Sequence, residues 1–402
     1  MRLAAYGWVD AASGSVASAG DLILRALVDL GVEVDFLANR HHVATPEGLP
    51  SPAFRYVGVE PPAGYQRLPE RLQGLLNRVF GPLTKGAWRR QYDRAREKEG
   101  RGHYDALLSL GTLPPFRVPQ CPTVAWLQGP PQTELEAIRE LRPQIVATSG
   151  TRFWLTLAAY YRYKQMVTRN DFTGIDVGIV GSTWSVKAFD RWPHPSPRRV
   201  TALPYPIDLT RFGPSEHLPD VDRPTILHIG RLDPRKRLDL LLDAFRQIHT
   251  SEPAAQLLIV GSAGYAPNQL SLLDAVRDLP GVTYRPSIAR SEVIPLIQTA
   301  SMVIQTSMNE NFGSAVAEAM ACGTPVVVGP TNGTADYICR SSAVFTTYTP
   351  ASVAEAVLEV LRRQRADPLG VRTETRATAE EHFDAHRLAQ RVVDLVRERT
   401  DP

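Results

Sequence analysis

Two carboxylates, Glu310 and Glu318, stand eight positions apart in the stretch NENFGSAVAEAMACGTPVVVGPTNGTADYI, which runs from Asn309 to Ile338. Asn309–Gly313 reads as a loop and Ser314–Cys322 as a short apolar helix. Gly323-Thr324-Pro325 stops that helix, and Val326–Val328 has the β-branched run of a buried strand. Glu310 then precedes the helix N-terminus, and Glu318 sits about two turns inside. Asn311, Phe312, Gly313 and Ser314 form the approach to that terminus, where unpaired N–H groups and the helix dipole can hold an anion. A carboxylate beside an anion site makes chemical sense if it accepts hydrogen bonds from hydroxyls. Sugars and riboses supply such hydroxyls, so the pair points to a nucleotide-sugar.

A second constellation has the opposite charge. Ile226 to Ile248, ILHIGRLDPRKRLDLLLDAFRQI, reads as strand, turn and helix. Ile226–Ile229 is the strand, and Gly230–Lys236 is the turn. The helix places Leu241, Leu242 and Phe245 on one face. Open α/β sheets bind ligands at the carboxyl ends of their strands, where this turn lies. Arg231 and Lys236 reach that crevice and could stabilise a diphosphate as it gains charge on departure.

These motifs carry a resemblance. The Glu310/Glu318 segment resembles the E-x7-E signature of the retaining glycosyltransferases of family 4, which have the GT-B fold. The turn is similar to that family's G-R-L-x-x-x-K pattern. The resemblance implies that Glu310 contacts the donor sugar, Glu318 holds the nucleotide ribose, and Arg231 and Lys236 bind the donor phosphates. Arg237 departs from it, standing where a Gly is common. It also implies a Gly-rich loop over the donor diphosphate, for which Gly14 and Ser15 are the nearest equivalents in Asp10–Gly20. Many relatives have a His where this chain has Gln128, which can hydrogen-bond a sugar or acceptor hydroxyl but cannot act as an acid or base. The implied reaction moves a sugar from a nucleoside-diphosphate-sugar to an acceptor hydroxyl with retention, by a same-face mechanism in which the leaving phosphate assists deprotonation of the acceptor. A nucleotide-sugar epimerase of the same architecture is the enzymatic alternative. A catalytically degenerate nucleotide-sugar-binding protein is the other, kept open by Gln128 and by Tyr205-Pro206 in place of the family's usual interdomain residues.

Composition agrees with a globular enzyme. The 402 residues are 43% hydrophobic and 22% charged, with a net charge of +3, enough chain for two or three domains. No run of 18 apolar residues suggests a membrane span, the first residues lack the apolar core of a signal peptide, and three cysteines make neither a disulfide framework nor a metal cluster. The expected compartment is the cytoplasm, and the Arg- and Pro-rich usage points to a GC-rich bacterial genome. Residues 1–205 carry a net +7 and the remainder −4. The positives are scattered, so an arginine-rich composition is preferred over an anionic acceptor or membrane surface, and no nucleic acid is expected as a partner. The acceptor class, whether small molecule, glycan or lipid, stays open.

Along the chain, strands and helices alternate, as in a parallel sheet covered on both faces. Leu3–Gly7 reads as a strand, Asp10–Gly20 as a loop, Asp21–Leu30 as a helix and Val32–Ala38 as a strand. Residues 41–66 read as loop, and 67–98 as helical segments interrupted at Gly81-Pro82. Ala106–Leu110, Thr123–Leu127 and Val177–Val180 are further strands. The aromatic-rich stretch from Phe153 to Lys164 reads as core packing with snorkelling cations, with an acceptor platform or membrane-contact helix as alternatives. Leu203–Pro214 breaks the pattern with prolines. Beyond it come strands at 225–229, 256–260, 282–285 and 302–305, and helices at 238–248, 268–277 and 291–298. Two Rossmann-like α/β/α domains facing across a cleft are expected: residues 1–205 with 384–402 on the acceptor side, and 206–383 on the donor side. Ala385–Arg399 is an amphipathic helix that, by the resemblance, crosses back to the first domain.

No D-x-D motif marks a metal-dependent donor site and no H-E-x-x-H spacing is present, so the phosphates should be neutralised by Arg231, Lys236 and the helix beginning at Ser314, with no metal or cofactor. Activity is therefore expected to persist in excess chelator. Loss of turnover that magnesium or manganese restores would contradict this.

Overall fold

The computed structural model describes residues 1–400 apart from 8, 11–14, 40–48, 50, 61, 63–80, 114–115, 117, 119, 263–270, 275–278 and 287. Gly14 lies outside the described residues, as does the Ser15 side chain.

The first half is built on a seven-stranded, wholly parallel sheet. Its strands are β1 (Arg2–Gly7), β2 (Glu33–Asn39), β3 (Phe54–Val59), β4 (Ala106–Leu110), β5 (Thr123–Trp126), β6 (Val177–Val180) and β7 (Arg199–Ala202). Their spatial order is β3-β2-β1-β4-β5-β6-β7. The central strands are buried throughout, because helices cover both faces and leave no solvent side for polar alternation. The covering helices are α1 (Ser15–Asp29), α2 (Gly81–Glu99), α3 (Gln132–Glu140), α4 (Arg142–Thr168) and α5 (Thr183–Asp190).

The second half repeats the plan with six parallel strands in the order β10-β9-β8-β11-β12-β13. These are β8 (Thr225–Ile229), β9 (Gln256–Val260), β10 (Val282–Arg285), β11 (Met302–Gln305), β12 (Val326–Val328) and β13 (Ala343–Val344). The helices are α6 (Leu238–Ser251), α7 (Arg290–Thr299), α8 (Ser314–Ala321), α9 (Pro350–Ala366), α10 (Pro368–Phe383) and α11 (Ala385–Thr400), with a helical turn at Ser271–Asp274. None of the described helices is long and apolar enough to cross a membrane.

Each sheet has one point where the strand order reverses, between β1 and β4 and between β8 and β11. Connections leave such a point in opposite directions and open a crevice at the carboxyl ends of the two strands. Both crevices face one cleft, which fixes where the site can be.

Several elements differ from the sequence reading. Helix α1 begins at Ser15, six residues early: Ala17 and Ala19 are strong helix formers, and Val16 packs on Gly111, whose added Cβ would collide with it. Gly81-Pro82 opens α2, where a first-turn proline loses no hydrogen bond; residues 67–80, the rest of the expected helical stretch, lie outside the described residues. Strand β3 lies inside the expected loop. Only the outward half of the aromatic stretch in α4 departs from core packing: Leu157 and Tyr161 are buried, whereas Leu155, Tyr160 and Met166 are exposed.

Helix α11 packs along α1. Its Leu388, Val392, Val393, Leu395 and Val396 are buried in the same core as Ile23, Leu24 and Leu27, and His386 meets Asp29 at 3.2 Å. Burying each aliphatic side chain contributes about 1.5–3 kcal/mol, so five together rival the ~5–15 kcal/mol that holds a whole domain. Removing residues 385–402 is therefore expected to strip α1 and β2 of hydrogen-exchange protection. Unchanged protection there, with new exchange only in residues 206–380, would rule the dependence out.

Candidate functional site

The site is assembled from loops at the two reversal points. After β8 the chain turns through Gly230, whose φ is +146° and whose carbonyl lies where a Cβ on Gly261 would stand, at 1.7 Å. The 3-10 turn Pro234–Lys236 follows, and α6 begins after Arg237. Arg237 has φ +53°, a left-handed conformation that costs an L side chain energy and that Gly adopts freely. That is the physical reason a Gly suits this position. Arg237 is held by a bidentate pair to Asp239, with its Nε at 3.0 Å and Nη2 at 3.0 Å from carboxylate oxygens.

The loop after β11 runs beside this turn because β8 and β11 are neighbours. Asn309 is also left-handed, at φ +53°, and Glu310 bridges to Asn332 as an extra parallel rung. Gly313 caps α8 with φ +90°, and an added Cβ there would meet Asn332 Oδ1 at 2.7 Å. No side chain caps α8, and Gly313 and Ser314 at its start line the cleft. Glu318 is the fifth helical residue, just over one turn in, on the same face as Ser314 and half-buried.

Lys236 Nζ donates to Glu310 Oε2 at 2.6 Å, with side chains 15% and 19% exposed. Burial alone would raise the Glu310 pKa. The charges of Lys236 and Arg235, the Lys236 hydrogen bond and the charge of Arg231 outweigh it and hold the carboxyl at about 2. Lys236 has three N–H donors, so this bond leaves two that could meet a phosphate. Arg235 bridges back to the carbonyls of Met308 and Asn309 at 3.2 and 2.9 Å, fixing one loop on the other. Arg231 extends outward, 68% exposed, with Nη2 3.2 Å from Asp233.

A cavity of about 440 Å³ lies between the two halves. The second half contributes Arg235 and Asn309–Ser314, and the first contributes Gly111–Leu113, Trp126–Pro131, Lys164, Trp184 and their neighbours. Gln128 is exposed in its wall, donating to the Gly111 carbonyl at 3.0 Å. The structure thus brings Glu310, Gly313, Ser314 and Gln128 to one cavity, with Lys236 on Glu310. Arg231 and Glu318 lie outside the cavity wall. A larger, shallow groove beside β13 and α9 holds none of these groups.

Asn311 and Phe312 have their side chains committed elsewhere. Asn311 Nδ2 donates to the Leu127 carbonyl and the Tyr205 oxygen at 3.3 and 3.1 Å, and its Oδ1 accepts from Gly181 N at 3.3 Å. Phe312 is buried against Tyr205 and Phe383, with ring centroids 5.1 and 5.6 Å away. Both join the two halves, as does Asp336, which accepts from Thr183 N at 2.6 Å and Thr183 Oγ1 at 3.0 Å. Burial pushes the Tyr205 hydroxyl up, so it stays a proton donor to the Leu127 carbonyl at 3.3 Å. Sequence reasoning saw Tyr205 only as a departure, and Arg235 only as part of a basic turn. Their positions in YP and RKR were visible, but their partners are residues far away in the chain.

Under the pair, His228 on β8 is fully buried. Its Nδ1 lies 3.2 Å from the Ile304 carbonyl and must carry the proton, while Nε2 has no hydrogen-bond partner. Burial, then the charge of Lys236, lowers its pKa to about 4, against the bond to Ile304.

Residues 212–380, which include Arg231, Lys236, Glu310 and Glu318, match the family described as Glycosyl transferases group 1. The D-inositol 3-phosphate glycosyltransferase of Geodermatophilus obscurus is 32% identical over 196 residues, 44% of this chain and 43% of that protein. The chain therefore spans under half the length of that curated relative. Among solved structures, sucrose-phosphate synthase from Thermosynechococcus elongatus superposes with a TM-score of 0.67 at 19% identity, covering 99% of both chains. Anabaena HepE, solved in complex with UDP-glucose, gives 0.59 at 15% identity over 98% of this chain and 99% of that one. The fold is GT-B: two Rossmann-like domains on parallel sheets.

His228 sets a pH dependence. Its folded pKa lies below its unfolded value of about 6.5, so the unfolded chain binds a proton that the folded one refuses. Stability is full above pH 6.5 and falls as the pH drops toward 4, by up to about 3 kcal/mol. Glu310 contributes in the same direction at lower pH, losing its share as the pH falls from about 4.5 to 2. Denaturant titrations at pH 7 and pH 5 should show the loss in the wild type and a much smaller one in His228→Gln. Equal losses in both proteins would refute the assignment.

Proposed function

We propose that this chain transfers a sugar from a nucleoside-diphosphate-sugar to an acceptor hydroxyl, with retention at the anomeric carbon. The observation that carries the reading is the meeting of Lys236 and Glu310 at 2.6 Å on the wall of the interdomain cavity. The match of residues 212–380 to a glycosyltransferase family supports it, as does the relative named a D-inositol 3-phosphate glycosyltransferase. The likeness to HepE holding UDP-glucose makes a uridine donor the first to test.

In this reading residues 206–383 bind the donor, and residues 1–205 with 384–402 present the acceptor. Arg231, Lys236 and the N-terminus of α8 at Gly313 and Ser314 neutralise the diphosphate, so no metal is required. Gly230 lets the turn approach it closely. Glu310 accepts hydrogen bonds from the donor sugar, and Glu318 from the ribose. Gln128 meets a sugar or acceptor hydroxyl from the opposite wall. The acceptor oxygen bonds to the anomeric carbon on the face the diphosphate leaves. The acceptor proton passes to the departing phosphate oxygen, whose new charge Lys236 and Arg231 stabilise.

Transfer is tested with a panel of nucleoside-diphosphate-sugars and acceptors, with donor alone as control, since formation of an epimeric donor would replace transfer by epimerisation. Lys236→Ala and Arg231→Ala should each lower turnover by roughly 10²–10³-fold, the scale of losing one preorganised charge. Calorimetry should separate the carboxylates: Glu318→Ala weakens the bare nucleoside diphosphate, while Glu310→Ala spares it and impairs reaction of the sugar donor. Full activity in both cation variants, or equal effects of both carboxylate variants on the bare diphosphate, would overturn these roles.

A further inference from the structure

Helix α4 presents a face that nothing among the described residues covers. Its inner side is fixed: Leu157 and Tyr161 pack with Leu135 and Ile138 of α3, and Trp154 Nε1 donates to the Ile138 carbonyl at 3.0 Å. Lys164, 3.1 Å from Glu134, and Thr168 reach the cleft. Its outer side carries Leu155, Tyr160 and Met166, each more than half exposed, and Tyr163 at 38%. Four of the nine exposed large hydrophobic residues among those described thus fall within three turns of one helix. Isolated exposed apolar residues need no explanation, but a contiguous group does.

Cations surround this group. Arg152 and Arg162 lie on the same exposed side, Arg169 just follows α4, and Arg139 sits beside it on α3. Arg139, Arg162, Tyr163, Met166 and Arg169 line one shallow hollow with His194. Helix α4 itself contains Arg142, Arg152, Arg162 and Lys164 and no acidic residue. Arg142 is stacked over Trp154 at 4.7 Å, and Lys164 is paired inward.

We propose that the outer face of α4 docks on an anionic lipid surface. Leu, Met and Tyr side chains interleaved with Arg are the pattern of a helix lying in a headgroup layer: the apolar tips enter the acyl boundary, and the guanidinium groups pair with phosphates. Contacts with α3 present the face ready-made, so no ordering cost opposes docking. A second copy of this chain is a poor occupant, because a two-fold contact would press like-charged guanidinium groups together. The same turns of α4 reach the cavity through Lys164 and Thr168, so docking brings the cavity wall close to the lipid. The proposal does not depend on the transfer reaction.

The test is cosedimentation of the full chain with phosphatidylcholine vesicles, with and without phosphatidylglycerol, in the absence of any nucleotide-sugar. Binding is expected only to the anionic vesicles and should weaken as salt rises. Leu155→Ser/Met166→Ser and Arg162→Ser/Arg169→Ser should each reduce binding by about tenfold or more while keeping the wild-type melting temperature. Leu218→Ser/Leu369→Ser, which removes exposed apolar residues elsewhere, should change nothing. Absence of wild-type binding to anionic vesicles, equal binding by the α4 variants, or an equal loss in the control pair would overturn the proposal. So would a sedimentation equilibrium showing a dimer that the α4 variants dissolve, which would give the face to a second copy.

Discussion

Glu310 carries a full negative charge with only 19% of its side chain exposed, and much of the second domain is arranged so that it can. A carboxylate in that position would stay protonated unless cations faced it closely. Lys236, Arg235 and Arg231 do so, and all three come from the turn after β8. That turn can meet the loop after β11 only because the two strands are adjacent and parallel, so that both chains leave the sheet at the same edge. The strand order, the left-handed residues Arg237 and Asn309 and the anchoring of Arg235 on Met308 and Asn309 all serve this meeting. The result is a local excess of positive charge beside an uncapped helix terminus, in a cleft whose opposite wall carries Gln128.

The two halves are held at that cleft by the packing of Phe312 on Tyr205 and by polar contacts around one close approach. Gly181 has no room for a Cβ, which would stand 2.8 Å from the Phe312 Cβ and 2.9 Å from the Asn311 carbonyl oxygen. Around it, Asn311, Tyr205, Asp336 and Tyr337 exchange hydrogen bonds with the backbone of Leu127, Gly181 and Thr183. The residue next to Glu310 is thus also the one that clasps the domains, so the cavity wall and the domain geometry share a segment three residues long.

Central strands were legible from sequence because they are covered on both faces and read as unbroken apolar runs: Ala106–Leu110, Val177–Val180 and Met302–Gln305 coincide with the observed strands. The edge strands of the first sheet were not, although β10, at the edge of the second, was. Phe54–Val59 and Arg199–Ala202 lie at the two ends of their sheet, and exposure lets arginine and threonine into them, which erases the run. In the site, Arg231, Lys236, Glu310 and Glu318 stand out because each lies at fixed spacing from a strand or helix within its own segment. Asn311, Phe312 and Tyr205 face each other across the two halves, and His228 lies hidden in a strand whose pattern is otherwise ordinary. Their roles depend on partners more than a hundred residues away, or on burial, and neither has a local signature.

Helix α11 comes from the far end of the sequence, yet it completes the apolar groove of α1 at the beginning. A ribosome adds roughly 5–20 residues per second, so the intervening second domain is made over a span on the order of ten seconds or more before α11 exists. For that interval the nascent first domain carries its sheet intact but its groove bare, a sticky stripe of Ile23, Leu24 and Leu27. The newly made second domain then becomes the tether that delivers α11 to it. Assembly is in this way ordered backwards for one helix: the earliest core in the chain is the last to be sealed, and a chaperone acting on this protein would find its binding stripe there.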